Sequence, residues 1–199
     1  MAKRGVFGGS FNPVHVGHLL VAESVREAAG LDEVVFVPAI RPWMKPAPAL
    51  APASDRWAMV QLAIGQNERF SASRVDLDRD GPSYAVDTMR DLVRESGDEY
   101  FFIMGADALT ALPAWHEADE LLRLCRVVAV ERPGWDGAAA LAGVERALPG
   151  ATNRICIVSG VLVDVSSSDL RRHIKDGRSI KYRVPPAVEE YIAERGLYR

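Results

Sequence analysis

The stretch Gly8-Gly9-Ser10-Phe11-Asn12-Pro13-Val14-His15-Val16-Gly17-His18 constrains this chain more than any other. It follows a short apolar run, Gly5-Val6-Phe7, that reads as the end of a first strand from Lys3. It leads into an apolar-periodic segment, Val16 to Ala29, with Gly30 as a left-handed stop. A glycine-rich turn, two closely spaced histidines and a helix start therefore sit at the carboxyl end of strand one. In an open α/β sheet that is where ligands bind. Glycines let the backbone approach a ligand, and free amides at a helix N-terminus favour anions. His15 and His18 add imidazole donors, strongest when protonated. Together these residues describe a phosphate cradle. A metal pair would need a third ligand close by, and none completes it. A general acid or base role is also within reach of an imidazole.

The remaining chain alternates strand and helix. Glu33 to Pro38 is a continuous β-branched run, expected of a strand buried on both faces. With the first strand and helix it makes a βαβ unit. Residues 39 to 53 carry Pro42, Pro46, Pro48 and Pro52, which rule out a helix. Arg41, Trp43 and Lys45 stand out there, and a loop this long reads as a functional lid that closes over the site. Ser54 is the expected cap of a helix through Ile64. Phe70 to Leu77 reads as strand three, and Ser83 as the cap of a helix from Tyr84 to Glu95. Tyr100 to Met104 is strand four, ending in Gly105-Ala106-Asp107. Leu109 to Arg123 is helical in two pieces broken at Pro113, with Trp115 and His116 at the break. Arg126 to Val130 is strand five, followed by a helix from Gly137 to Ala147. Ile155 to Val158 and Val161 to Val165 are strand material. Ser166-Ser167-Ser168-Asp169 opens a helix to Lys175, and Pro186 starts the last helix, to about Arg195. There is no linker and no internal repeat. Residues 1–199 read as a single α/β domain, doubly wound, with a mostly parallel sheet and helices on both faces.

Composition narrows the partners. Lys+Arg 24 against Asp+Glu 27 leaves a net charge of −3, so there is no global basic field for nucleic acid. An anion site must be built locally, in a cleft. Cys125 and Cys156 both lie in apolar stretches and read as buried free thiols. No run approaches the ~20 apolar residues of a membrane span. No signal peptide is evident, so the cytoplasm is expected. A second anion site is suggested at Ser167, Ser168 and Arg171, where hydroxyls, helix amides and a guanidinium converge; a plain N-cap is the simpler reading. Asp107 at a strand end suits ribose hydroxyls, and Trp115 suits stacking on a ligand ring, although a core role serves Trp115 equally well.

At this point a resemblance is plain. Gly8 to His18 resembles the (T/H)xGH signature of the nucleotidyltransferase superfamily, whose members have a Rossmann-like fold. The rest resembles one family within it, the bacterial nicotinate-mononucleotide adenylyltransferases. The matching segments are the proline-bearing loop with Lys45, Ser83 to Thr88, Phe102 to Asp107 leading to Leu112-Pro113-Ala114-Trp115, Glu131 to Gly134, Val165 to Arg171, and Val184 to Ile192.

The resemblance implies that ATP and nicotinate mononucleotide give deamido-NAD and pyrophosphate in NAD biosynthesis, with Mg2+ on the ATP phosphates and no metal held by the protein alone. It implies Gly8, Gly9, Ser10, Phe11, His15 and His18 at the ATP phosphates, with His18 stabilising charge on the α-phosphate. Ser167, Ser168 and Arg171 would hold the β and γ phosphates, and Gly105 and Asp107 the adenosine. Lys45 and Arg132 would meet the mononucleotide phosphate. Tyr84, Thr88, Trp115 and His116 would receive the nicotinate, with Trp115 stacked on the ring and backbone amides on the carboxylate. His15, His18, Lys45 and Arg171 form the implied catalytic set. No nucleic acid or membrane partner is implied, and self-association is left open.

The chain departs from the family pattern at Asn12, where many members carry Asp, and at Ser10, where Thr is common. It also departs at His116, where Tyr is frequent, and at Trp43-Met44. The rivals are adenylyltransferases acting on nicotinamide mononucleotide or phosphopantetheine and, from another class, a non-catalytic nucleotide-binding regulatory module.

Overall fold

A computed structural model describes residues 1–40, 50–131, 137–161 and 163–199. The described strands are β1 (Lys3–Gly9), β2 (Glu33–Pro38), β3 (Phe70–Ala72), β4 (Glu99–Gly105), β5 (Arg126–Glu131) and β6 (Ile155–Ser159). The helices are α1 (Val16–Ala28), α2 (Ala53–Ile64), α3 (Ala85–Glu95), α4 (Ala106–Leu109), α5 (Ala118–Leu124), α6 (Gly137–Ala147), α7 (Ser167–Lys175) and α8 (Pro186–Arg195). The strands form one sheet in the order β3-β2-β1-β4-β5-β6, and every pairing is parallel. The expected doubly wound Rossmann-like architecture is present, and among the described residues its sheet is wholly parallel. The strand order reverses between β1 and β4. Their carboxyl ends therefore splay apart at a topological switch point, the place such a sheet offers to a ligand.

Strand periodicity sorts the core into two layers. Val35 and Val37, Phe102 and Met104, Val127 and Ala129 face one side, against Val86, Met89 and Leu92 of α3 and Leu121 and Leu122 of α5. Val34 and Phe36, Phe101 and Ile103, Val128 and Val130 face the other. They meet Ala22 and Val25 of α1, Met59 and Val60 of α2, Leu170 of α7 and Val188 and Ile192 of α8. This two-sided burial is why the strands read as continuous apolar runs.

Several boundaries differ from the sequence expectation for physical reasons. Strand three stops at Ala72, well short of Leu77. Val34 N–H and the Phe36 carbonyl both bond toward β3, so Pro38, two residues on, should supply the next donor on that side. Proline has none, and the ladder ends. Residues 74 to 78 turn instead, with Leu77 N–H on the Arg74 carbonyl at 2.7 Å. Val161 and Val163 to Val165 form no strand: β6 is the edge of the described sheet, and Val165 N–H bonds back to the Val163 carbonyl. The α2 N-cap is Pro52, not Ser54, and that of α3 is Tyr84, not Ser83. The Ser83 hydroxyl accepts from Ile40 N–H instead, tying the end of β2 to α3.

Cys125 is buried, and burial pushes its thiol up to about 12, which leaves it inert. Cys156 is exposed, correcting the expectation of two buried thiols. It lies on the edge strand, on the face opposite Ile155 and Ile157, where the sheet edge leaves it uncovered. No described helix is long and apolar enough to cross a membrane.

Candidate active site

The turn after β1 is held by aromatic packing. Phe11 has φ 44, a left-handed conformation that costs about 1–3 kcal/mol for a non-glycine residue. What retains it is its ring, 1% exposed, packed edge-on to Phe7 at 5.8 Å and to His18 at 5.1 Å, and against Phe36 at 5.6 Å. A Cβ on Gly9 would come within 3.1 Å of that ring, and a Cβ on Gly17 within 3.0 Å of His15 Nδ1. These two glycines therefore make room for rings inside the protein. A Cβ on Gly8 would meet only Phe102, at an ordinary 3.7 Å.

His15 and His18 stack with centroids 3.7 Å apart and planes 31° from parallel. His18 Nδ1 accepts the His15 backbone N–H at 3.2 Å, which leaves the ring proton on Nε2. Burial lowers the His15 pKa to about 4. Burial, with the neighbouring His15 as a second cause, also holds His18 well below an ordinary histidine. Both imidazoles are therefore neutral at pH 7 in the free protein. The sequence expectation of donors strengthened by protonation is corrected: desolvation removes that charge, and His18 offers a neutral Nε2–H of fixed tautomer.

Four backbone donors open α1. Val16 N–H is taken by the Arg183 carbonyl at 3.0 Å, and those of His18 and Leu19 by the His15 carbonyl. Gly17 N–H has no acceptor among the described residues. A cavity of about 310 Å³ opens here, lined by Phe7, His15, Gly17, Gly105, Val163 and Ser166 among others. It bridges the ends of β1, β4 and β5, which is the switch point of the sheet.

The start of α7 is bolted to the same turn. Ser166 caps it, its hydroxyl accepting from Asp169 N–H at 3.1 Å. The Ser167 hydroxyl donates to the Pro13 carbonyl at 2.8 Å. Arg171 Nη1 donates to the Asn12 carbonyl at 2.7 Å, and Nη2 to the Ser168 hydroxyl at 3.2 Å. Ser167 thus spends its hydroxyl on the fold. Its amide and that of Ser168 stay available at the helix N-terminus, where an anion is favoured. A Cβ on Gly105 would meet the Asp107 carboxylate, the mobile end of an exposed side chain that can swing aside. Asp107 is exposed, just past the end of β4.

A second group lies on the α3 side of the sheet. The Tyr84 and His116 rings stack at 4.4 Å and 34°. His116 Nε2 sits 3.2 Å from Glu117. Trp115 is half-buried, edge-on to Phe102 at 5.9 Å, and its Nε1 is buried without a partner among the described residues. Thr88 does not belong to this group. It is buried, with its hydroxyl 2.5 Å from Asp76 and 3.1 Å from the Tyr84 carbonyl, so it is satisfied within the fold. Lys45, the lid around Trp43, and Arg132 lie outside the described residues.

The sequence reading missed Arg56 and Tyr198. Arg56, 1% exposed, donates to the carbonyls of Ser10, Ala39 and Ala51. Tyr198 donates to Asn12 Oδ1 at 2.8 Å, which also accepts from Ala51 N–H at 3.0 Å. A signal for Arg56 was present: with Met59, Val60 and Ile64 it falls on the apolar face of α2.

Known proteins place the chain in a family. The family model described as cytidylyltransferase-like matches residues 6–173, so the chain belongs to that class of nucleotide-handling α/β proteins. A probable nicotinate-nucleotide adenylyltransferase of Dehalococcoides mccartyi is 41% identical over 198 residues, covering 98% of this chain and 97% of that protein. One from Rubrobacter xylanophilus is 46% identical, covering 98% and 91%. The chain belongs, more narrowly, to the nicotinate-nucleotide adenylyltransferase family. The fold matches that of the Plasmodium falciparum nicotinic acid mononucleotide adenylyltransferase complexed with NaAD, at TM-score 0.79 and 16% identity over 100% of this chain and 98% of that one.

Proposed function

We propose that this protein transfers the adenylyl group of ATP to nicotinate mononucleotide, giving deamido-NAD and pyrophosphate. The observation that carries the reading is the pair His15–His18 at the open N-terminus of α1, joined through the 10–15 turn to the serine-capped start of α7. Such transfer needs little covalent chemistry from the protein; positioning and charge stabilisation suffice. The mononucleotide phosphate attacks the α-phosphorus directly, and pyrophosphate leaves.

His18 Nε2–H donates to the α-phosphate oxygen on which charge builds. His15 and Gly17 N–H serve the same phosphates. Ser168, the α7 amides and Arg171 hold the departing pyrophosphate. The adenosine occupies the cavity beside Gly105, with Asp107 on the ribose. Mg2+ would come bound to the ATP phosphates and supply charge neutralisation there. Among the described residues no group of three or more His, Cys, Asp or Glu could hold a metal ion.

The Tyr84–His116 stack and Trp115 receive the nicotinate. Trp115 stacks on the ring and backbone amides take the carboxylate; the indole N–H is buried with no partner among the described residues, which costs about 1–3 kcal/mol. Lys45 and Arg132 take the mononucleotide phosphate. Pyrophosphate release with ATP and Mg2+, compared between nicotinate and nicotinamide mononucleotides, tests the reading. Faster turnover of the acid is expected; equal or faster turnover of the amide overturns the substrate assignment.

A further inference from the structure

Arg56 is the largest fully buried side chain of the described protein, and it has no acidic partner among the described residues. The adjacent carboxylate, Asp55, is occupied by the Tyr191 hydroxyl at 2.7 Å and Arg195 Nε at 3.1 Å. Arg56 spends its donors on backbone: Nε on the Ala51 carbonyl at 3.1 Å, Nη1 on those of Ser10 at 2.9 Å and Ala39 at 2.6 Å. Burying a cation against carbonyls alone is expensive, and apolar packing of the same volume would serve the fold better. A charge kept in this way invites a reason beyond packing.

The phosphate turn supplies one. Arg56 holds the carbonyl of Ser10 and Arg171 that of Asn12, so one guanidinium sits on each side of Phe11. Neither forms an ion pair among the described residues. The Ser10–Phe11 peptide is trans, so a carbonyl drawn toward Arg56 turns the Phe11 N–H the opposite way, away from α2. That N–H has no acceptor among the described residues. Asn12, neutral where a carboxylate would cancel charge, accepts from Ala51 N–H and Tyr198 and leaves both arginines uncompensated.

We propose that Arg56 is a positioning residue for the ATP phosphates. Through the Ser10 carbonyl it orients the Phe11 amide as a phosphate donor, and it stands behind the turn as a fixed, water-excluded positive charge. The reading rests on the adenylyltransferase function above and adds a residue that does not itself touch the nucleotide.

The test is the affinity of wild type, Arg56→Lys and Arg56→Gln for ATP and for adenosine, with thermal melts on the same samples. Lysine keeps the charge but loses the planar fork. Arg56→Lys should weaken ATP about tenfold and adenosine less than about twofold, and Arg56→Gln should weaken ATP further. Equal weakening of both ligands, or unchanged ATP affinity, makes Arg56 a structural staple and overturns the proposal. Should neither variant fold, the Phe11 amide resonance of the wild type is followed on adding inorganic triphosphate. A downfield shift supports the orientation, and no shift overturns it. Wild-type protein that fails to bind ATP overturns the functional reading itself, whereas wild-type binding with no change in the variants overturns only the role of Arg56.

Discussion

Two stacked ring pairs lie at the two ends of the proposed site, and they behave differently. His15 and His18 stack at 3.7 Å, and Tyr84 and His116 at 4.4 Å, with nearly the same tilt. The first pair is enclosed. His15 is 6% exposed, Phe11 packs edge-on to His18, and the backbone fixes the His18 tautomer. The second stands at the surface, with the His116 side chain 47% exposed beside Glu117. Similar geometry gives opposite chemistry because water decides it. Enclosure denies the histidines a proton and fixes a neutral donor in place before any ligand arrives. Exposure leaves the tyrosine and histidine as a contact surface whose worth comes from what covers it. In the proposed site the phosphate end would thus be built in advance, and the nicotinate end completed by its ligand.

This contrast is breakable. His18→Ala should have the largest effect, a fall of roughly 100- to 1,000-fold in kcat, as loss of a transition-state donor produces. Single-turnover pyrophosphate release measures it, and an unchanged rate would remove His18 from the chemistry.

Acid titration comes next. Both enclosed histidines have folded-state pKa values below the unfolded value, so as pH falls the unfolded chain takes up protons first. Stability is fully present above about pH 6.5 and is lost toward about pH 4. His15 alone accounts for roughly 2–3 kcal/mol by pH 4.5. Urea unfolding at pH 7, 6, 5 and 4.5 should trace that slope, and a flat profile would mean the pair is not enclosed.

On the other side, Trp115→Ala should raise the mononucleotide KM about tenfold with a smaller change in that for ATP. An effect confined to ATP would move Trp115 to the other substrate. His116→Ala should change the mononucleotide KM by less than about threefold, as a surface contact does. A loss as large as that of His18 would erase the distinction between the two ends.

Much of this was legible beforehand, and the exceptions share a cause. The parallel core showed itself because β2, β4 and β5 are apolar on both faces, and α8 announced its start with Pro186 and its end with Gly196. His15 and His18 could be placed at a helix start from spacing alone. Their protonation could not, because it depends on which rings close over them. The end of β3 depended on a donor missing from a neighbouring strand, at Pro38. Thr88 carried the right chemistry for a ligand but lay against Asp76, a partner 12 residues away that local periodicity does not identify. Arg56 was readable as a buried position on α2, while its partners, on the turn after β1 and at the two ends of the β2–α2 loop, were not.

The close approach of Gly9 to the Phe11 ring bears on how this signature can vary. The two positions form one constraint: a methyl group at position 9 asks the ring at position 11 to give way by a few tenths of an ångström, and that ring also supports His18. Acceptable residues at one position therefore depend on the other. Variants drifting along this turn would cross fewer barriers by shrinking position 11 first and filling position 9 afterwards than by the reverse order.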